Sequence, residues 1–289
     1  VVGDTPYDGA AERAFPFLAE EISRADVAFV IHIGDLKDSR IPCTDSLVAS
    51  RVAALDAFAH PLVFVPGDNE WTDCHRVPEG TYRPLERLDF LRRQAFPEPG
   101  RSRGATPMTV ETQARPGAPD FPEHQRWNRQ GVFFTTLHVV GSRNGLEGFH
   151  GRTTEDDLEV DRRIAAAVEW LRGTFGEARR RNAVAVVVAF QANPWDVPAD
   201  FAGRTGFEEI MAALREESDA FGRQVLLVHG DTHALRLDRP YWSEDVPDHP
   251  NLMRLETFGS PEVGWVQVHV DPTSRGVFGF TPRRTEPVQ

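Results

Sequence analysis

Four short apolar runs along the chain each stop at a polar turn. Residues 27–33 (VAFVIHI) end at Gly34-Asp35, 62–66 (LVFVP) at Gly67-Asp68, 183–190 (AVAVVVAF) at Gln191, and 225–229 (VLLVH) at Gly230-Asp231. Their length, their β-branched content and the turn residues that bound them predict buried strands. Between them, residues 10–24, 46–59, 155–181 and 207–221 carry apolar side chains at helical spacing. Strand and helix alternating in this way predict an α/β domain. The opening Val1-Val2-Gly3-Asp4 reads as the end of one more strand. From Gly131 the β runs lengthen, at 132–140, 251–258, 264–270 and 277–280, and predict a second sheet packed on the first. The stretch 98–129 is rich in Pro, Gly, Arg and Gln, too polar for a core, and predicts a long excursion over the surface. With no internal repeat and no clear linker, residues 1–289 read as a single domain.

Composition narrows the function classes. Apolar residues make up 40% of the chain, enough for a sizeable core, yet no run approaches the roughly 18–20 residues of a membrane helix. Against 32 Lys and Arg stand 44 Asp and Glu, a net charge of −12, which argues against a broad nucleic-acid footprint. Lys37 is the chain's one lysine. The first residue is not methionine, which a removed leader or a trimmed chain would explain.

The candidate chemistry lies where the strands end. Asp4, Asp35, Asp68-Asn69-Glu70, Gln191-Ala192-Asn193 and Asp231 with His233 all follow predicted strands. Ligands of open α/β sheets gather outside the carboxyl ends of strands. Several carboxylates converging there repel one another unless cations sit between them. One Gly-Asp after a strand is only a turn or a helix cap; the ordered repetition is what points to a site.

In order, the motifs GDTPY, GDLKD, GDNEW, QANP and GDTH resemble the motif set of the calcineurin-like metallophosphoesterases over nearly the whole chain. The longer strings PGDNEWTDCHR, TLHVVGS and VHGDTHA are similar to those of a bacterial subgroup of that superfamily. The resemblance implies a four-layer α/β/β/α sandwich of two mixed sheets, with a two-metal site at the strand ends. It implies that Asp4, Asp35, Asp68, Gln191, Asp231 and His233 hold metal, with Asp35 as the bridging carboxylate. The usual histidines are missing at several of these positions. Asp4-Thr5-Pro6 stands where Asp-x-His is usual, so Tyr7 or Asp8 is a candidate substitute ligand. Asp68 takes the place of the metal-binding asparagine, Asn69 that of the histidine assisting the leaving group, and Gln191 that of a further metal-binding histidine.

The substitutions favour oxygen donors. Such a set suits Mg²⁺, Mn²⁺, Ca²⁺ or iron better than Zn²⁺. Asn69 cannot titrate, so His75 is the candidate replacement acid, with His229 behind it as a core histidine. Lys37, Arg76 and Arg143 are candidate phosphate contacts whose ordinary reading is solvated loop residues. Asn144 reads as a turn former, Glu70 and Trp71 as braces of the third motif, and His32 and His138 as core histidines. In this fold Cys43 and Cys74 reach the same rim, where a disulfide would stabilise by about 3–4 kcal/mol on the chain-entropy model; free thiols are the alternative. The expected function is metal-dependent hydrolysis of a small phosphate mono- or diester, by a protein that the cysteines and the first residue place in the periplasm or outside the cell, with the cytoplasm as the alternative. The rival readings are a metal-binding protein that has lost hydrolysis, or altered metal chemistry on a phosphorylated metabolite.

Overall fold

The computed structural model describes residues 1–114, 121–198, 200–240 and 250–285. Its strands are β1 (Val30–His32), β2 (Leu62–Phe64), β3 (Glu111–Thr112), β4 (Gln125–Arg129), β5 (Val132–Thr136), β6 (Ala185–Ala189), β7 (Gln224–His229), β8 (Arg236–Asp238), β9 (Leu252–Glu256), β10 (Gly264–Val270) and β11 (Phe278–Arg284). The longer helices are α1 (Gly9–Arg24), α2 (Asp45–Ala54), α3 (Pro84–Ala95), α4 (Thr154–Arg180) and α5 (Glu208–Phe221).

The larger sheet runs β3-β4-β5-β6-β7-β9-β8. Its centre, β5, β6, β7 and β9, is parallel, and its two edges are antiparallel. In the smaller sheet β1 pairs in parallel with β2, and β10 antiparallel with β11. The chain's first residues join these pairs: Val2 bridges to His32, and the Val266 amide donates to the Val1 carbonyl at 2.9 Å.

Side-chain alternation then builds the layers. Ile31, Ile33, Val63 and Val65 face Phe134, Val187, Ala189, Leu226 and Val228 between the two sheets. The alternate residues Val30, Leu62 and Phe64 meet Leu18, Ile22, Val52 and Leu91 from α1, α2 and α3. On the opposite side Val186, Val188 and Leu227 meet Ile164, Leu171 and Leu214 from α4 and α5. The result is a four-layer α/β/β/α sandwich. Burial of both faces explains why the strands read as continuous apolar runs.

Two expectations change. The strands partition differently from their order in the sequence: β6 and β7 belong with β5 and β9, whereas β10 and β11 belong with β1 and β2. Sheet membership depends on which edge a strand reaches, which strand-like composition does not record. The stretch 98–129 is also more than a surface excursion. Arg103 bridges to Leu62 at the edge of the smaller sheet, while β3 and β4 extend the larger one and bury Gln125 and Trp127. Residues 115–120 of that stretch lie outside the described residues. Helix α3 escaped the reading because charged residues dilute its apolar stripe of Leu88, Leu91 and Ala95.

Cys43 and Cys74 form a disulfide with Cα atoms 5.7 Å apart, closing a separation of 31 residues. Such bonds belong to oxidising compartments. Beside it Lys37 is buried and pairs with Glu79 at 2.5 Å, so this lysine braces the rim and is not a solvated loop residue. Among the described residues no helix is long and apolar enough to cross a membrane. Replacing both cysteines by alanine should lower unfolding stability by about 3–4 kcal/mol in denaturant titrations. An unchanged midpoint would show that the bond contributes nothing to stability.

Candidate metal centre

The motif turns meet at one rim because the strands of both sheets end there. Val2 and β1 lie side by side, so Asp4 and Asp35 are adjacent, and the Asp4 amide donates to the Gly34 carbonyl at 3.0 Å. The β2 turn crosses close by. A Cβ on Gly34, whose φ is +82°, would lie 2.4 Å from the Gly67 nitrogen, so only glycine fits that crossing. Across the rim, β6 and β7 deliver Gln191 and Asp231, and the Asp231 amide donates to Asp4 Oδ1 at 3.2 Å.

Two groups of donors result. Asp4, Asp35 and His233 offer atoms that all lie within 4.8 Å of one another, and so do Asp35, Asp68 and Asp231. Backbone conformation sets this cluster apart as well. Asp4, Asp35, Asp231 and His233 all have positive φ, at 50°, 56°, 80° and 60°. Asp and His visit this region more readily than most residues, and strain of this kind collects at functional sites.

Burial makes the cluster costly. Asp4, Asp35 and Asp68 are at most 6% exposed. Burial first, then the carboxylate of Asp231, pushes Asp4 well above the usual range. Burial and then Asp68 do the same to Asp35, and push Asp231 up to about 7. The neighbouring Asp73, also pushed well up by burial and Asp68, is partly offset by Arg76, with which it pairs at 2.6 Å.

The residues fit a cation on one side of the cluster. Asp4 Oδ2 and Asp35 Oδ1 are buried without a hydrogen-bond partner. His233 donates from Nδ1 to the Ser260 carbonyl at 2.8 Å, which leaves Nε2, 3.6 Å from Asp4 Oδ1, as the ring nitrogen that could meet a cation. A metal-binding histidine is oriented in this way, by its other nitrogen. The other side is already hydrogen-bonded. Gln191 Nε2 lies 3.2 Å from Asp35 Oδ2, 3.2 Å from Asp68 Oδ1 and 3.1 Å from Asp231 Oδ1. Gln191 was expected to offer an oxygen ligand. Instead it presents its amide nitrogen, a donor with no lone pair to give, because the Gly141 amide claims its oxygen at 2.6 Å.

The remaining candidates sort clearly. Tyr7 packs edge-on against His233 with ring centroids 4.6 Å apart, and its hydroxyl accepts from Asn69 Nδ2 at 3.3 Å. Burial, with Asp35 adding to it, raises the Tyr7 phenol, which favours the protonated form. Asp8 is the N-cap of α1, accepting from the Ala10 and Ala11 amides, and is not a substitute ligand. His75 does not fold back over the site: Nδ1 bonds the Thr72 carbonyl at 2.7 Å and the ring stacks on Phe149. His229 is a core histidine, held down to about 3 by burial. His32 bonds the Thr5 carbonyl and His138 bonds Glu123, both fully buried. Glu70 braces the third motif by accepting from the Leu36 and Gly67 amides.

An open cleft of about 550 Å³ lies over the carboxylates. Tyr7, Asn69, Arg76, Ser142, Arg143, Asn193 and Phe201 are among its lining residues. Arg76 is engaged by Asp73 and by Glu147 at 2.7 Å. Arg143 rests on the Phe201 ring at 5.0 Å, with no ion pair among the described residues. Ser142, whose hydroxyl donates to Asp68 Oδ2 at 2.8 Å, was missed by the sequence reading. It sits in a left-handed turn, with φ near +51° to +54° at Ser142, Arg143 and Asn144. Buried Arg163 fixes that turn by donating to both the side chain and the carbonyl of Asn144. The only sequence signal was the GSRNG turn after β5.

No family model matches the chain, and no curated protein does. Among solved structures, a candidate 5'-nucleotidase from Staphylococcus aureus in complex with alpha-ketoglutarate aligns with 94% of this chain at 14% identity and a TM-score of 0.47. The alignment takes in 48% of that protein, so this chain spans about half its length.

The raised carboxylates imply a pH effect of definite sign. Groups that hold protons more tightly when folded contribute stability that is complete below their unfolded values near 4 and lost as pH rises through about 7, the value for Asp231. Metal-free protein in EDTA should therefore melt roughly 5–10 °C lower at about pH 8 than at about pH 5. Saturating Mn²⁺ should remove most of that difference. Equal midpoints in EDTA would mean that the cluster is not strained by its own charge.

Proposed function

We propose that this protein is a metal-dependent phosphoesterase that hydrolyses a small phosphate mono- or diester. The observation that carries the reading is a pair of buried carboxylate oxygens without a hydrogen-bond partner, Asp4 Oδ2 and Asp35 Oδ1, with half-buried His233 beside them and Asp35 lining an open cleft. Asp4, Asp35 and His233 would hold a divalent cation, with Asp68 and Asp231 adding negative charge beside it. The oxygen-rich donors favour Mg²⁺, Mn²⁺, Ca²⁺ or iron over Zn²⁺. When bound, such an ion would neutralise the carboxylates, polarise a phosphoryl oxygen and acidify water.

The chain's own groups do the rest. Arg143, stacked on Phe201 in the cleft wall, supplies the cation best placed to pair with a phosphate. Asn193, which lines the same cleft, adds a neutral side-chain amide beside it. With His75 turned away, the protonated Tyr7 hydroxyl is a hydrogen-bond donor lining the cleft. It accepts a hydrogen bond from Asn69, so its own proton is free to point towards a leaving oxygen. The disulfide favours a periplasmic or secreted location.

Turnover of mono- and bis-nitrophenyl phosphate should be seen with Mg²⁺, Mn²⁺, Ca²⁺ or Fe²⁺ and be weak with Zn²⁺. Asp35→Asn should lower it about 100-fold or more, the upper end of what disturbing a metal ligand's environment costs. Arg143→Ala should raise KM more than it lowers kcat. Undiminished turnover in Asp35→Asn, or none with any cation, would remove the proposal.

A further inference from the structure

The two sides of the carboxylate cluster are satisfied unequally, and this bears on how many cations the chain holds. On the Asp4 side, two buried carboxylate oxygens, Asp4 Oδ2 and Asp35 Oδ1, have no partner, and His233 Nε2 lies beside them, 3.6 Å from Asp4 Oδ1. On the Asp231 side, the oxygens accept bonds from the protein. Gln191 Nε2 reaches Asp35 Oδ2, Asp68 Oδ1 and Asp231 Oδ1. Ser142 Oγ donates to Asp68 Oδ2 at 2.8 Å, and the Asn193 amide donates to Asp231 Oδ2 at 2.9 Å.

The orientation of the Gln191 amide follows from its neighbours. Its Oε1 accepts from the Gly141 backbone amide at 2.6 Å, and turning the side chain over would set one donor against another. There is no slack to relieve this. Gln191 is fully buried, and a Cβ on Gly141 would lie 2.5 Å from Asp68 Oδ2 and 2.6 Å from Asp231 Oδ1.

We propose that the chain holds a single divalent cation, between Asp4, Asp35 and His233, and that the Gln191 amide nitrogen stands where a second cation would sit. The inference rests on the function proposed above only in taking the cluster to be a cation site. An amide nitrogen carries two N–H donors and bridges carboxylates without bringing net charge. A histidine at the same position would bring a lone pair and admit a metal. With one cation, the part of a phosphate that a second would grip falls to Arg143 and the side-chain amide of Asn193, which line the cleft together with Asp35.

The test counts cations. Metal-stripped protein titrated with Mn²⁺ alone should take up one equivalent, by dialysis and elemental analysis, and give the EPR spectrum of an isolated ion. Gln191→His should take up a second equivalent and show the broadened spectrum of a coupled pair. Should that variant fail to fold, the ligands separate the two positions. His233→Ala should weaken Mn²⁺ binding about 100-fold, and Asp231→Asn by several-fold at most. Two equivalents in the unaltered chain, a folded Gln191→His that stays at one, or equal losses in the two ligand variants would overturn the single-cation assignment and leave a metal-dependent hydrolase standing. No uptake of Mn²⁺ at all would overturn it together with the proposed function.

Discussion

Aspartates from separate strand ends are pressed together here, and much of the molecule's local structure manages the consequence. Asp4, Asp35 and Asp68 are buried, Asp231 lies beside them, and each adds to the cost of ionising its neighbours. Taking charge out of water without a partner is among the most expensive things a fold can do. The cluster persists because it is braced from outside. Glu70 ties the turns after β1 and β2 together, Arg163 clamps the Gly141–Gly145 turn, and the Cys43–Cys74 bond with the Lys37–Glu79 pair stiffens the rim.

That bracing explains an acidic protein's odd use of its cations. Several candidate phosphate contacts are committed to structure instead: Lys37 to Glu79, and Arg76 to Asp73 and Glu147. A site that must hold buried carboxylates in place spends nearby positive charge on second-order neutralisation. Arg143, stacked on an aromatic ring and without an ion pair among the described residues, differs from the others. On the function proposed above, the work falls to few groups: a bound cation, a guanidinium, a side-chain amide and a phenol.

The donor types in the cluster follow a coherent physical pattern. At His233 a backbone carbonyl accepts from Nδ1 and orients the ring, with Nε2 towards Asp4. At Gln191 an N–H faces the carboxylates. The two halves of one cluster thus present different chemistry to a cation, unpartnered acceptors on one side and acceptors already sharing N–H and O–H donors on the other.

Much of this was legible in the residues themselves. Apolar runs ending in Gly-Asp marked the strand ends because buried strands are continuous in sequence and turns need particular residues. The convergence of Asp4, Asp35, Asp68, Asp231 and His233 followed from their place after those strands. Other features had no local signal. Ser142 reaches Asp68 across 74 residues, and His75 faces Phe149 and not the site. The sheet to which β10 belongs depends on pairing with residue 1. Local backbone preference and periodicity are written in neighbouring residues, so the chain alone determined its elements and the residue types at their ends. Which way a side chain turns depends on donors and acceptors brought from distant segments. The tertiary structure alone therefore decided that Gln191 offers its nitrogen, because the amide that claims its oxygen is 50 residues away.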